Sequence, residues 1–400
     1  MTKSILHCLL LRPILIVLFT ILSSSSFNST ASTGATYNVV SLGAKPDGKT
    51  DCTKAFLSAW QKACGSAKPA TIYVPAGRFL IGKVVFGGGE CSNKAITVTI
   101  DGTLVAPSNY HGNDDSNWIL FHNVDGVSVH GGLLDGQGTS LWACKNSGGN
   151  CPSGATSLEF TNSKNIMVAG LTSLNSQMFH IVIHQCQHVK VQGVKVVAPG
   201  NSPNTDGIHI GRSDDVTILN ANIQTGDDCV SVGPGTTNLW VENVVCGPGH
   251  GISIGSLGKD QNEEGVQNMI VKTVKFKGTD NGVRIKTWGR PSNAFVKNVL
   301  FQHAVMVDVK NPIVIDQNYC PHNSCPHQAS GVKVSDVTYQ DIHGTSATEV
   351  AVKFDCSSKN PCSGIKLQDV KLTYSNQIAE ASCQNAGGTS QGYVQPESCL

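Results

Sequence analysis

Apolar and polar residues alternate along most of this chain. The segments D-G-V-S-V-H-G from residue 125, N-I-M-V-A-G-L from 165, H-V-K-V-Q-G-V-K-V from 188 and D-V-T-I-L-N-A-N-I from 215 carry the pattern. N-L-W-V-E-N-V from 238, N-M-I-V-K-T-V-K-F from 268 and G-I-K-L-Q-D-V-K-L from 364 repeat it. A period of two predicts strands with one face buried. The segments return every 22 to 40 residues, each with Asn or Asp near its ends. Strand repeats of that length, without helices between them, predict a solenoid of parallel β-helix type. A β-propeller would need antiparallel blades joined by tight hairpins, and regular Asn-Gly or Asp-Gly hairpin signals are missing.

One helix stands out near the start. In T-D-C-T-K-A-F-L-S-A-W-Q-K-A-C, Ala55, Phe56, Ala59, Trp60 and Ala63 fall on one face. Thr50 or Asp51 is placed to cap it. An open solenoid end exposes its core and unpaired backbone, so this helix is expected to cover it. Before it, Lys3, His7 and Arg12, the apolar run Pro13 to Leu22 and a small-residue tail describe a secretory signal over about residues 1–30. The apolar run is too short for a membrane span. The catalytic domain is expected over residues 36–400.

The pattern also sets a register. The blocks G-I-H-I-G, C-V-S-V-G and G-I-S-I-G begin at residues 207, 229 and 251, in equal steps of 22 residues. They read as three consecutive coils. The residues just before them, Asp206, Asp228 and His250, then stack in one column, with Asp227 beside the middle one. In the next matching block, G-V-R-I-K from 282, Val283 and Ile285 face inward and Arg284 and Lys286 outward. The carboxylates are expected at the rim, pointing into a cleft. Close carboxylates resist ionising together, so at least one pKa should rise. A protonated acid beside ionised bases suits hydrolysis of a glycosidic bond. Arg284 and Lys286 suit a sugar that carries a carboxylate.

Composition removes other classes. The chain has 400 residues and a formal net charge of +1, without the basic excess of a nucleic-acid or membrane-surface protein. Its 42 glycines suit a turn-rich β protein. Of 15 cysteines, Cys8 lies in the signal. Cys144/Cys151, Cys229/Cys246, Cys320/Cys325, Cys356/Cys362 and Cys383/Cys399 read as short loops closed by disulfides in an exported protein. Cys52, Cys64, Cys91 and Cys186 have no evident partner, and buried thiols are expected among them. Cys320, His322, Cys325 and His327 have zinc-ligand types, but a disulfide explains the cysteines more simply. His180 reads as a packed, hydrogen-bonded residue, with a place facing the cleft as the alternative.

Four motifs, N-T-D-G (204–207), G-D-D (226–228), G-H-G (249–251) and R-I-K (284–286), stand in order. In these the chain resembles the polygalacturonases of glycoside hydrolase family 28, and most closely the plant branch with its exo-acting, pollen-type enzymes. The resemblance spans the mature chain. It implies an all-β, right-handed, single-stranded parallel β-helix and inverting hydrolysis of α-1,4-linked galacturonan. It makes Asp227 the general acid, with Asp206 and Asp228 holding and activating water and His250 tuning the acid. Arg284 and Lys286 would bind the uronate carboxylate, and Asn204 and Tyr319 would contact substrate. No cofactor or metal is implied. The expected partner is pectin, met by a secreted monomer in the cell wall, with no nucleic acid and no membrane after signal cleavage. A pectate lyase or a pectin-binding wall protein is the alternative. The insert from about Gly136 to Ser157 is a candidate for closing one end of the cleft.

Overall fold

Each alternating stretch forms a strand and pairs in parallel with its equivalent one coil away. The structure, a computed structural model, describes residues 34–108, 117–321, 325 and 328–400. The expected signal, together with His322 and His327, lies outside the described residues. Residues 34–400 cluster as one compact unit.

A typical coil uses three short strands. Ile181–His184, Gln187–Gln192 and Lys195–Val197 make one coil, and Ile208–Gly211, Asp214–Leu219 and Asn222–Gln224 make the next. The register joins Ile181 to Ile208, Val189 to Val216 and Val196 to Ile223. Among the described residues the strands assemble into sheets of nineteen and eleven strands. The one antiparallel pairing among them is between Thr373–Tyr374 and Gln377–Ile378. The alternation therefore belongs to a parallel solenoid rather than to propeller blades.

The inward residues of successive coils stack on one another. Ile181, Ile208, Val230 and Ile252 are fully buried, as are Ile183, Ile210, Val232 and Ile254. Full burial of such a side chain contributes about 1.5–3 kcal/mol. Towards the first coils aromatic rings take over, with Phe121 stacked on Phe160 at 4.9 Å. The Asn and Asp residues near strand ends also have a physical reason. Asp215, Asn238, Asn268 and Asn298 all adopt positive φ, near +54° for Asp215 and +58° for Asn268. Short polar side chains tolerate this left-handed corner. The column is laced by side-chain amides, Asn268 donating to Asn238 at 3.1 Å and Asn298 to Asn268 at 2.8 Å.

Helix α1, Thr53–Cys64, buries the five predicted residues Ala55, Phe56, Ala59, Trp60 and Ala63. It packs on strands Ala35–Asn38, Ala70–Val74 and Val84–Gly87, and Trp60 Nε1 donates to Gly87 O at 2.9 Å. Asp51, rather than Thr50, supports its start by accepting from the Thr53 backbone N–H at 2.9 Å. A second helix that the pattern does not announce, α2 (Thr139–Asn146), lies in the insert. It buries only Leu141 and Trp142, too few positions to show a period. The Cys144–Cys151 disulfide closes the loop behind it. All five short-range disulfides form. Cys64 pairs with Cys91, while Cys52 and Cys186 are buried thiols.

Candidate active site

Six strands of the smaller sheet position the predicted groups: β1 (Ile181–His184), β2 (Ile208–Gly211), β3 (Val230–Val232), β4 (Ile252–Leu257), β5 (Asn281–Trp288) and β6 (Asn311–Tyr319). The three steps of the sequence register hold. Ile208, Val230, Ile252 and Val283 are successive partners facing inward, and His209, Ser231, Ser253 and Arg284 are successive partners facing outward. Asp206, Asp228 and His250 sit at the entries to β2, β3 and β4.

These entries are tight turns. A Cβ on Gly226 would lie 2.1 Å from Ser202 O. Gly251 has φ +92°, and a Cβ there would lie 2.2 Å from Asn281 O. Neither position accepts a side chain without displacing backbone. The Cys229–Cys246 disulfide ties the residue after Asp228 to the strand that follows.

Depth separates the three carboxylates. Asp228 does not stand at a rim. Its side chain is 1% exposed and fully occupied, accepting from Ser253 Oγ at 2.7 Å, Arg284 Nη2 at 2.9 Å and Lys286 Nζ at 2.8 Å. Burial opposes its charge, but the Lys286 and Arg284 cations outweigh that and hold it below the usual carboxylate range. Asp206 is also recessed, at 7% exposure. Burial, then the charges of Asp227 and Asp228, push its carboxyl well above the usual range, against the pull of Ser231 and Lys286. The expectation that one clustered carboxyl would favour its neutral form is met at Asp206. The expectation that all three stand at the rim is not, because two cations and the turn backbone draw Asp228 inward. Asp227 keeps the most open position of the pair, with its side chain 19% exposed.

Asp227 faces His250, Oδ1 to Nδ1 at 3.1 Å, and also accepts from the Asp228 backbone N–H at 2.8 Å. The Asp227 hydrogen bond raises the His250 pKa, burial lowers it less, and the charges of Asp227, Asp228 and Asp280 add to the rise. Asp280 lies 3.6 Å from His250 Nε2 and is itself paired with Lys310 at 2.6 Å. Two ionic groups result: Asp228–Arg284–Lys286, the more enclosed, with side chains 1%, 14% and 9% exposed, and Asp227–His250–Asp280–Lys310, the more open.

Tyr319 joins the first group, its ring centroid 5.4 Å from Lys286 Nζ. Asn204 is exposed at φ +56°, and its side chain makes no hydrogen bond to the described residues. His180 is fully buried and bonded through Nδ1 to Ser173 at 2.8 Å, so it packs within the coil, while its Nε2 has no hydrogen-bond partner among the described residues. His209, Ser231, Ser253 and Asp280 also belong to the site, beyond the residues that the motifs mark. The first three are the middle letters of the aligned blocks, so the outward column itself was the signal. His209 bonds Ser231 at 2.8 Å and stacks on Phe179 at 5.2 Å. Burial, then the neighbouring His184, lower its pKa to about 4, so it is uncharged at neutral pH.

Asp227, Asp228 and His250 offer ligand atoms within 4.8 Å of one another. A cation would compete there with Arg284 and Lys286 for Asp228, and with a proton that His250 favours. The donor set does not fit a resident metal. A groove of about 700 Å³ lined by Asn162, Lys164, Gln185, Arg212, Asp214 and Glu264 runs beside the corner after these strands. None of the groups above lines it, so chemistry rather than concavity marks the site.

Paired carboxylates of opposite electrostatic bias on a parallel β-helix define a class, the solenoid hydrolases of glycosidic bonds. The chain belongs to glycosyl hydrolases family 28, whose profile matches residues 64–397. It is 68% identical over 377 residues to a polygalacturonase of Prunus persica, covering 93% of this chain and 95% of that one. It is 43% identical over 371 residues to an exopolygalacturonase of Platanus acerifolia, covering 91% and 98%. Its fold matches that of an endo-xylogalacturonan hydrolase from Aspergillus tubingensis with TM-score 0.77 and 24% identity, over 90% of this chain and 100% of that one.

Proposed function

We propose that this enzyme hydrolyses the α-1,4-galacturonosidic bonds of pectin with inversion, as a secreted monomer of the plant cell wall. The observation that carries the reading is the division of labour between neighbours: Asp228 locked as an anion under Arg284 and Lys286, and Asp227 more open beside His250. Asp227 protonates the leaving oxygen, being the carboxyl a substrate reaches. Asp206 and Asp228 position and deprotonate the attacking water, sharing one negative charge between them. His250 holds Asp227 in place through Nδ1. Arg284, Lys286 and Tyr319 receive the sugar that carries the uronate, and Asn204 contacts it from the entry to β2. No residue of this scheme needs a metal.

The test is an incubation of purified protein with polygalacturonic acid, with Asp227→Asn beside it. New reducing ends without unsaturated product are expected, and kcat should fall by about 10²–10⁴ in the variant. Unsaturated product would move the protein to the lyases. No product from folded protein would leave a binding role. Slow loss of viscosity against reducing ends would mark exo action, fast loss endo action.

A further inference from the structure

Strand β5 sends Arg284, Lys286 and Trp288 to the outer face in turn, while Thr287 between them is buried and bonded to Ser330 at 2.9 Å. Beyond the strand comes Arg290. A line of contacts leads to it from the site. Lys286 Nζ lies 5.4 Å from the Tyr319 ring, Tyr319 meets the Trp288 ring edge-on at 5.5 Å, and the Arg290 guanidinium lies 5.3 Å from the Trp288 ring. Tyr319 and Trp288 are partners in the β-ladder, so the line is built into the sheet.

Among the described residues, the far end of that line lacks an acceptor. Arg290 Nε and Trp288 Nε1 are both shut from solvent, and neither has a hydrogen-bond partner. Among the described residues, the one hydrogen bond from the guanidinium runs from Nη1 to Lys259 O at a long 3.4 Å. No carboxylate of the described residues lies within ion-pair distance of Arg290, whereas Arg284 and Lys286 share Asp228. Glu263, an acid of the turn that includes Lys259, is turned to the backbone N–H groups of Gly258, Lys259 and Asp260, at 2.6, 3.1 and 3.4 Å. An arginine whose cation has no carboxylate partner among the described residues is available to an anion that reaches its open edge. The side chain is only partly buried, so its outer edge remains open to a ligand.

We infer that Arg290, with Trp288 beside it, binds a second carboxylate of the substrate, on a sugar other than the one held by Arg284 and Lys286. The inference rests on the polyuronide reading above, because only a polymer with an acid on each unit presents carboxylates at both places. A planar guanidinium suits a carboxylate, which it binds through two parallel N–H groups, and an ammonium does not reproduce this. Arg290 is thus a specificity residue for the unesterified acid, not a catalytic one.

The test uses binding, so that it stands apart from turnover. Asp227→Asn protein and the double variant Asp227→Asn/Arg290→Gln are titrated calorimetrically with di- and hexagalacturonate. The Kd for the hexamer should rise about tenfold with Arg290→Gln and that for the dimer less than threefold. Full methyl esterification of the hexamer should abolish the difference between the two proteins. Arg290→Lys, the gentler change should Arg290→Gln fail to fold, is expected to keep most of the loss. Equal Kd values with and without Arg290, or an equal loss at both lengths, would overturn the inference. So would a hexamer that neither protein binds. Hydrolysis by the wild type is scored separately, and its failure would strike the proposed activity instead.

Discussion

At the scale of single residues, Asp206 shows function bought with stability. Its folded pKa is raised above the unfolded value of 3.8. The stability linked to its protonation is fully present below that unfolded value and is lost as pH rises through the folded one. Asp206→Asn removes the cost of burying an ionisable carboxyl among like charges. It should therefore stabilise the fold at pH 7, by about 1–2 kcal/mol, while abolishing hydrolysis. Thermal melts of both proteins from pH 3 to 8 check this, since the gain should shrink towards zero near pH 3. A variant that is less stable at every pH would contradict the assignment. How much of this was legible is instructive. The column of Asp206, Asp228 and His250 followed from equal steps between blocks, and outward Arg284 and Lys286 followed from alternation. Depth did not follow. The cations that draw Asp228 inward lie 56 and 58 residues away, and a register says which residues are neighbours but not which of them pair.

At the scale of elements, the turn that carries Asp227 and Asp228 is held from behind. Cys229 and Cys246 close a loop with sequence separation 17 just after the two carboxylates. Replacing both by Ser should cost about 3 kcal/mol of stability, by the entropy of a loop of that size. Because the disulfide anchors the turn, kcat should also fall more than when Cys356 and Cys362 are replaced, a pair with separation 6 on a later coil. Melting temperature and kcat measured on both double variants check the two effects apart. The pairing was readable from closeness in sequence, and so was α1 from its five apolar positions. Helix α2 was not, because eight residues with two buried side chains carry no period, and packing rather than propensity forms it.

At the scale of the whole molecule, the solenoid turns sequence repetition into rigidity at the site. Strands β2, β3 and β4 each lie between two parallel strands, and their inward side chains rest on their counterparts in the coils before and after. Closing an active site over its substrate is one way to exclude water. Here the fold has already screened Asp228 from bulk solvent, with Lys286 and Arg284 drawn in beside it.

That enclosure has a consequence for ionic strength. Dissolved salt screens charges that water reaches, over a Debye length of about 8 Å at 0.15 M, and acts much less on a pair that water does not reach. Catalysis and substrate capture should therefore part company as salt is added. From 0.05 to 0.5 M sodium chloride, KM for polygalacturonate should climb several-fold, because an extended polyanion is captured by exposed charge. Over the same range kcat should stay within a factor of two, because the Asp228 cluster carries its own counter-ions inside the protein. Initial rates at saturating and limiting substrate would separate the two. A kcat that fell several-fold as KM climbed would mean that solvent ions reach Asp228 during turnover.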